Sequence, residues 1–494
     1  MTDDLPEQLR IRREKRAALI ERGATPYPVS VPRTKSLAAI RDEFKDLATD
    51  TSSGKVESVV GRVIFKRDTG KLCFAMLRDG EGSELQIMLS LDKVGENKLE
   101  DWKSDIDLGD IVSVTGEVIT SKRGELSILA SDYSFAAKSL RPLPNEHNPL
   151  NEETRVRMRY VDLIVRPEAR AIATTRPKVM KSLRHSLDSA GFLEVETPML
   201  QVMHGGAAAR PFKTFSNAYD MELFLRIAPE LFLKRCVVGG LEKVFEINRN
   251  FRNEGADSSH SPEFAMLEMY WAYADWRAMK ELTKTLVQNA AQAVYGSHRV
   301  IHHDGSEHDL GGDWPELDFY GAISKKVGTE VTPETKFEEL KQIAGRIGLK
   351  VDPKWIHGKL AEEIFEFTNK EELRRPTFVM GYPVDTSPLV REHRDRAGIV
   401  EKWDLYVDGF ELATGYSELV DPVIQRERLV EQARLGARGD LEAMQVDEDF
   451  LRAMEHGMPP MGGVGIGIDR LLMALTGLGI RETILFPLVK PEEQ

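Results

Sequence analysis

The sequence predicts an α+β protein in which a small β-barrel precedes a larger domain. That domain is built on a partly antiparallel sheet flanked by helices and carries a small helical insertion. Three observations carry this reading. Five short β-rich stretches, 59–65, 72–77, 85–89, 111–119 and 126–129, are separated by turn residues such as Asp79-Gly80 and Arg123-Gly124. Pro142, Pro144 and Pro149, among Asn145, Asn148 and Asn151, mark a linker, because proline stiffens the chain and withholds backbone donors. Further on, the stretches 403–407 and 410–419 flank Asp408-Gly409, a strong two-residue hairpin signal.

Taken in order, Arg10, Arg12, Arg13, Lys15 and Arg16 accompany Leu9, Ala17, Leu19 and Ile20 in a basic helix stopped by Gly23 and Pro26. Its charges suit either solvent or a polyanion. The barrel follows, then the linker. Beyond it, 178–190 and 272–294 read as helices, 244–248 and 264–270 as strands, and 333–374 as a charged helical insertion. The expected divisions are an N-terminal extension at 1–52, the barrel at 53–140, the linker at 141–160 and the larger domain at 161–490.

Composition narrows the function classes. A chain of 494 residues, 41% hydrophobic and 30% charged, is too apolar for wholesale disorder and long enough for several cores. The net charge of −13 confines any nucleic-acid contact to local patches. Cys73 and Cys236 form no CxxC spacing and no disulfide framework, which implies a reducing compartment. The N-terminus has no apolar signal region and no run of 18 apolar residues occurs, so neither secretion nor membrane insertion is expected, and the expected location is cytoplasmic.

Three segments point to a nucleotide, and none is a Walker or Rossmann loop: GxxxxGK[ST] is missing, and Gly463-Val464-Gly465-Ile466-Gly467 is misspaced for GxGxxG. The first runs from Phe251-Arg252-Asn253-Glu254-Gly255 through His260 to Phe264 and reads as strand, loop and strand. Arginine offers a planar fork to phosphate oxygens and a phenyl face stacks on a base, although a surface ion pair would use the same residues. In the second, the glycines of 463–467 remove side chains from one strand face, and Arg470 follows where a helix begins; tight strand–helix packing is the alternative. The third is the hairpin bearing Asp404, Glu411 and Glu418, whose carboxylates suit magnesium or simply solvent. Strict alternation separates Glu411 from Thr414, Tyr416 and Glu418, so a shared site requires a bulge, expected near Gly415.

Arg252 and Arg470, with Gly191-Phe192-Leu193-Glu194-Val195-Glu196-Thr197-Pro198 upstream, fall in the order of the three signature motifs of the class II aminoacyl-tRNA synthetases. With Arg226-Ile227-Ala228-Pro229-Glu230-Leu231 and Gly205-Gly206-Ala207-Ala208-Ala209-Arg210-Pro211-Phe212, the chain resembles the bacterial lysyl-tRNA synthetases along nearly its whole length. No HIGH or KMSKS match to class I enzymes is present. The resemblance implies an N-terminal OB-fold barrel that binds the anticodon, followed by a class II catalytic domain. It also implies a homodimer with Pro198 at the interface. Arg252 would hold the α-phosphate of ATP, Phe264 would stack on adenine, Glu254 and His260 would contact the nucleotide, and Arg470 would grip the triphosphate end. One or more magnesium ions would lie on Glu411 and Asp404. The family commonly has glutamate at the latter position, so the shorter Asp404 implies a bridging water.

The same resemblance makes ATP, L-lysine and tRNA(Lys) the substrates. A lysine pocket must pair two ammonium groups, and Glu230, Glu268 and Glu418 stand at the matching positions, completed by Gly206, Tyr270, Thr414 and Tyr416. Here Thr414-Gly415-Tyr416 replaces the family's frequent Asn-Gly-Phe. In the barrel, Leu85, Ile87 and Leu89 alternate with Gln86 and Met88, which leaves Gln86 free to face outward. Phe74 lies where both faces are apolar and reads equally as core. By resemblance, Phe74 would stack on an anticodon base, Gln86 would bond the central uracil, and Lys66 or Arg67 would contact the backbone. The competing readings are an aspartate or asparagine synthetase, a protein lysyltransferase, and a non-catalytic nucleic-acid binder on the same scaffold.

Overall fold

The computed structural model describes residues 6–144, 150–438 and 442–491. Residues 1–5 and three linker residues named above, Asn145, Asn148 and Pro149, lie outside the described residues. The chain divides into two compact units, Met1–Arg170 and Ala171–Gln494.

In the first unit, strands β1 (Thr51–Asp68), β2 (Leu72–Arg78), β3 (Glu84–Ser90), β4 (Ile111–Thr120) and β5 (Leu126–Ala137) close a barrel in the order β1-β2-β3-β5-β4. Alternation in β2 and β3 sends Cys73, Ala75, Leu77, Leu85, Ile87 and Leu89 into the core. Phe74 and Gln86 are therefore left on the outer face, which resolves the ambiguity at Phe74. The basic helix is present as Glu7–Glu21, but its charges are partly turned inward. Arg12 is buried and donates to the carbonyls of Ser139 (3.1 Å) and Leu108 (3.0 Å), and Lys15 pairs with Asp107 at 2.7 Å.

The expected linker is partly helical, with Glu152–Arg157 inside 141–160 and Arg159–Val165 beginning at its end. Asn151, read as a loop residue, is an N-cap that accepts from the Thr154 amide at 2.8 Å, while Glu152 and Glu153 suit the positive helix end.

In the second unit, an eight-stranded sheet is formed by β6 (Leu193–Glu194), β7 (Lys243–Phe251), β8 (Glu263–Ala272), β9 (Glu316–Asp318), β10 (Thr377–Met380), β11 (Lys402–Val407), β12 (Phe410–Ser417) and β13 (Met461–Gly467). Its order is β9-β10-β11-β12-β13-β8-β7-β6, antiparallel from β10 to β7 and parallel only at its two edges. One face packs Phe245, Leu267, Trp403, Leu405 and Leu412 against Val179, Leu183, Met279, Leu286, Leu471 and Leu475 of the flanking helices. The helix expected from residue 272 begins at Trp276, because β8 continues to Ala272 and Asp275 caps the amides of Arg277 and Ala278. The insertion contains Phe337–Ile347 and His357–Asn369 and shares a core with the earlier helix Phe319–Val327.

Candidate active site

β7 ends at Phe251, and the Arg252 amide donates to the Pro262 carbonyl at 2.9 Å, closing the loop between β7 and β8. Inside that loop, Asp257 accepts from the amides of Ser259 (2.7 Å) and His260 (2.8 Å) and from His260 Nδ1 (2.9 Å). Burial opposes ionisation of Asp257, but those donors outweigh it and hold its carboxyl down at about 2. Arg470 Nη2 donates to His260 Nε2 at 3.2 Å, so the His260 proton lies on Nδ1, and Arg470 Nη1 donates to the Glu411 carbonyl at 2.7 Å. The Arg252 guanidinium lies 5.0 Å from the centre of the Phe264 ring.

Arg252, Glu254, His260, Phe264, Glu411 and Arg470 thus line one cavity. Arg252 Nε is buried there without a partner. Burial lowers the pKa of this guanidinium, and it is an anion-sized ligand that its free donor suits.

The β11–β12 hairpin turns at Asp408-Gly409 with φ of 51° and 80°, as a two-residue turn requires. The expected bulge exists but lies at Leu412 rather than Gly415: Leu405 pairs with Ala413, and Tyr406 already with Glu411. Leu412 and Ala413 are consequently both buried, and Glu411 is brought onto the face of Thr414 and Tyr416. Gly415 has a different reason, since a Cβ there would meet the Trp403 ring at 2.3 Å. On β11, Asp404 pairs with the Lys402 ammonium at 3.1 Å through Oδ2, while Oδ1 is buried without a partner. Burial and then Asp404 raise the pKa of Glu411. Two adjacent carboxylates, one with an orphaned oxygen, fit a magnesium ion that prefers oxygen ligands and retains water.

The glycine-bearing β13 leads from this cavity to a buried acidic cluster. Gly465 and Gly467 line the cavity, whereas a Cβ on Gly463 would stand 2.0 Å from Glu418 Oε1 and 2.6 Å from the Tyr270 ring. Gly206, at φ 85°, has a similar constraint, with its Cβ position 2.9 Å from that of Glu230. Glu230, Glu268 and Glu418 are all buried, and Tyr416 donates to Glu230 at 3.1 Å and Tyr270 to Glu268 at 3.4 Å. Burial, followed by the neighbouring Glu230, pushes Glu268 up to about 8. Thr414 belongs instead with the cavity lined by Arg252 and Arg470, where its Oγ1 is buried and unpartnered.

Two lysines in this region, Lys402 half-buried and Lys234 buried, escaped sequence reasoning. Lys402 sits beside Asp404, and Lys234 sits between Glu230 (2.6 Å) and Glu418. The only signal for Lys234 was its i,i+4 spacing from Glu230 on a short apolar helix, Glu230–Val238. A third charged cluster is engaged internally: His302 bonds the Ala474 carbonyl (2.9 Å) and stacks on His308, which faces Asp408 at 3.2 Å.

Away from the cavity, Pro198 is exposed beside Leu193, Met199, Leu200 and Val202, which are 47–68% exposed. On the barrel, Arg67 is exposed and lies opposite Phe74, which is next to Met88, while Gln86 accepts from Ser127 Oγ at 2.9 Å. Lys66 is not free for a nucleic acid. Its ammonium donates to the carbonyls of Trp102 (3.0 Å), Lys103 (2.8 Å) and Ile106 (2.7 Å), closing the end of the helix Glu96–Asp105. Among the described residues no helix is long and apolar enough to cross a membrane.

Comparison with known proteins gives two family matches. The model of class II tRNA synthetases (D, K and N) matches residues 151–490, and that of the OB-fold nucleic acid binding domain matches 57–136. The chain is 63% identical over 490 residues to the lysine–tRNA ligase of Kineococcus radiotolerans, covering 99% of this chain and 98% of the relative. It is 59% identical over 490 residues to that of Mycolicibacterium gilvum, with the same coverage of 99% and 98%. A bifunctional lysylphosphatidylglycerol biosynthesis protein of Nocardia farcinica is 47% identical over 491 residues, which span 98% of this chain and 43% of that protein.

Proposed function

The chain belongs to the class II tRNA synthetases of the aspartate, lysine and asparagine group, and from that premise we infer that it is a lysine–tRNA ligase. It activates L-lysine with ATP and transfers the lysyl group to the 3′ end of tRNA(Lys). One observation carries the reading: guanidinium groups from positions 252 and 470 line a single cavity, and the strand that floors it leads to three buried glutamates.

Little acid–base help is required, because the lysine carboxylate is already ionised and attacks the α-phosphorus directly. A carboxylate O–P bond forms, the P–O bond to the β-phosphate breaks, and pyrophosphate leaves. Catalysis then rests on positioning and charge neutralisation. Arg252, with its free Nε, faces the α-phosphate, and Phe264 takes the adenine ring. Arg470, held by His260 and the Glu411 carbonyl, receives the departing phosphates. Magnesium bound by Glu411 and Asp404 would neutralise phosphate charge. The tRNA hydroxyl finally attacks the lysyl carbonyl and AMP leaves. Glu230, Glu268 and Glu418 receive the substrate's two ammonium groups, with Gly206, Tyr270 and Tyr416 completing the pocket.

Around this chemistry, Phe74, Gln86 and Arg67 form the anticodon surface of the barrel. The apolar residues around Pro198 form a homodimer interface, and the enzyme works in the cytoplasm. Amino-acid-dependent ATP–pyrophosphate exchange tests the central reading: lysine alone among the standard amino acids supports exchange, whereas exchange driven by aspartate or asparagine overturns it. Sedimentation should give twice the chain mass of 55.7 kDa, and a monomer at micromolar concentration contradicts the interface.

A further inference from the structure

We propose that Lys234 is the resident counter-ion of the acidic cluster, a positioning residue that leaves the pocket at two net negative charges once its three glutamates are ionised, so that a substrate with two ammonium groups neutralises it. The proposal rests on the lysine-ligase reading and deepens it, because that reading does not use Lys234.

The side chain of Lys234 is fully buried on the helix Glu230–Val238. Its ammonium reaches Glu230 Oε1 at 2.6 Å, pairs with Glu418 Oε2, and lies 5.9 Å from the centre of the Tyr270 ring. The remaining groups facing the cluster are accounted for. Tyr416 and Tyr270 are neutral donors to Glu230 and Glu268, Arg226 compensates Glu246 at 2.7 Å, and Arg252, although its charge also favours ionised Glu268, lines the neighbouring cavity. Three carboxylates and one ammonium therefore remain. Glu418 Oε1 is buried with no partner, as expected of an atom awaiting a donor.

Buried charge must be compensated. Burial raises Glu418, Lys234 pulls it back down, and Glu230 raises it again, so removing Lys234 leaves a triad that cannot all ionise. A substrate with one ammonium leaves a carboxylate unpaired, and one with a side-chain carboxylate adds a further negative charge. On this account a lysine residue contributed by the protein lets three glutamates discriminate for lysine.

The test compares wild type, Lys234→Met, Glu418→Gln and the double variant by lysine-dependent ATP–pyrophosphate exchange against pH. In Lys234→Met, KM for lysine should rise at least about tenfold at pH 7 with KM for ATP nearly unchanged, and the acid limb of log kcat/KM for lysine should move up by about one pH unit. The double variant, again balanced at two negative charges, should bind lysine better than Lys234→Met and melt at a higher temperature. An unmoved acid limb, or a double variant worse than both singles, overturns the proposal. If Lys234→Met does not fold, the double variant and Lys234→Arg decide: folded protein that binds lysine supports the proposal, and loss of lysine binding in both overturns it. Absence of lysine-dependent exchange in the wild type would instead defeat the ligase reading itself.

Discussion

Arg252 keeps a buried Nε donor that nothing in the protein satisfies, as its proposed role toward the reacting phosphate requires. Removing one preorganised donor of this kind typically costs about 3–4 kcal/mol at the transition state, so Arg252→Ala should lower ATP–pyrophosphate exchange at least about a hundredfold. Near-normal exchange in a folded variant would end that assignment. The acidic cluster predicts a pH profile. Glu268, pushed up to about 8 chiefly by burial and then by Glu230, must be ionised to pair with an ammonium. Its protonated form dominates below that value, so kcat/KM for lysine should climb from pH 6 towards pH 8 while kcat stays flatter, because bound lysine draws the carboxyl back down. A flat kcat/KM profile over that range would be incompatible with this. Arg252, Glu411 and Arg470 were legible because each lies in a distinctive local pattern. Lys234 was not, because Glu and Lys four apart on a helix normally mark a solvated pair, and only tertiary packing makes this one a buried ion.

The β11–β12 hairpin and the glycines of β13 shape the site at the next scale. The sequence required a change of phase between Glu411 and Thr414 but could not locate it, since Gly415 looked permissive for a bulge. Its lack of a side chain instead admits the Trp403 ring, and the extra residue is the apolar Leu412, which the core can absorb. Gly463 is constrained in a different way. An added methyl would stand 2.0 Å from Glu418 Oε1, so Gly463→Ala should raise KM for lysine at least about tenfold by displacing a charged pocket wall. Steady-state exchange checks this, and an unchanged KM in a folded variant would show that the wall yields freely. The helical segment inside the expected linker was missed because Asn151, in a run of prolines and asparagines, reads as loop until its capping bond is seen.

For the whole molecule, the two compact units assign separable tasks, and the assignment can be measured. Phe74→Ala alters only the outer face of the barrel, so it should weaken tRNA charging by about fivefold or more, as stacking losses of about 1–3 kcal/mol imply, while tRNA-independent exchange persists. Loss of exchange would mean that the variant perturbs folding instead. The division into barrel and sheet was readable from strand lengths, turn residues and the hairpin. The outer face of the barrel was less so: Lys66 and Arg67 are adjacent basic residues, and only the structure reveals that the first closes a helix end while the second stays exposed. The net charge of −13 coexists with nucleic-acid recognition because recognition needs only such small exposed groups of residues.

The bulge at Leu412 also bears on how this enzyme can diverge. A residue added in the turn between Asp408 and Phe410 leaves the phase of Glu411 against Thr414 unchanged, whereas one added between Glu411 and Thr414 turns Glu411 to the opposite face unless a second bulge absorbs it. Descendants of this gene are therefore expected to vary the length of the turn more readily than the spacing between Glu411 and Thr414.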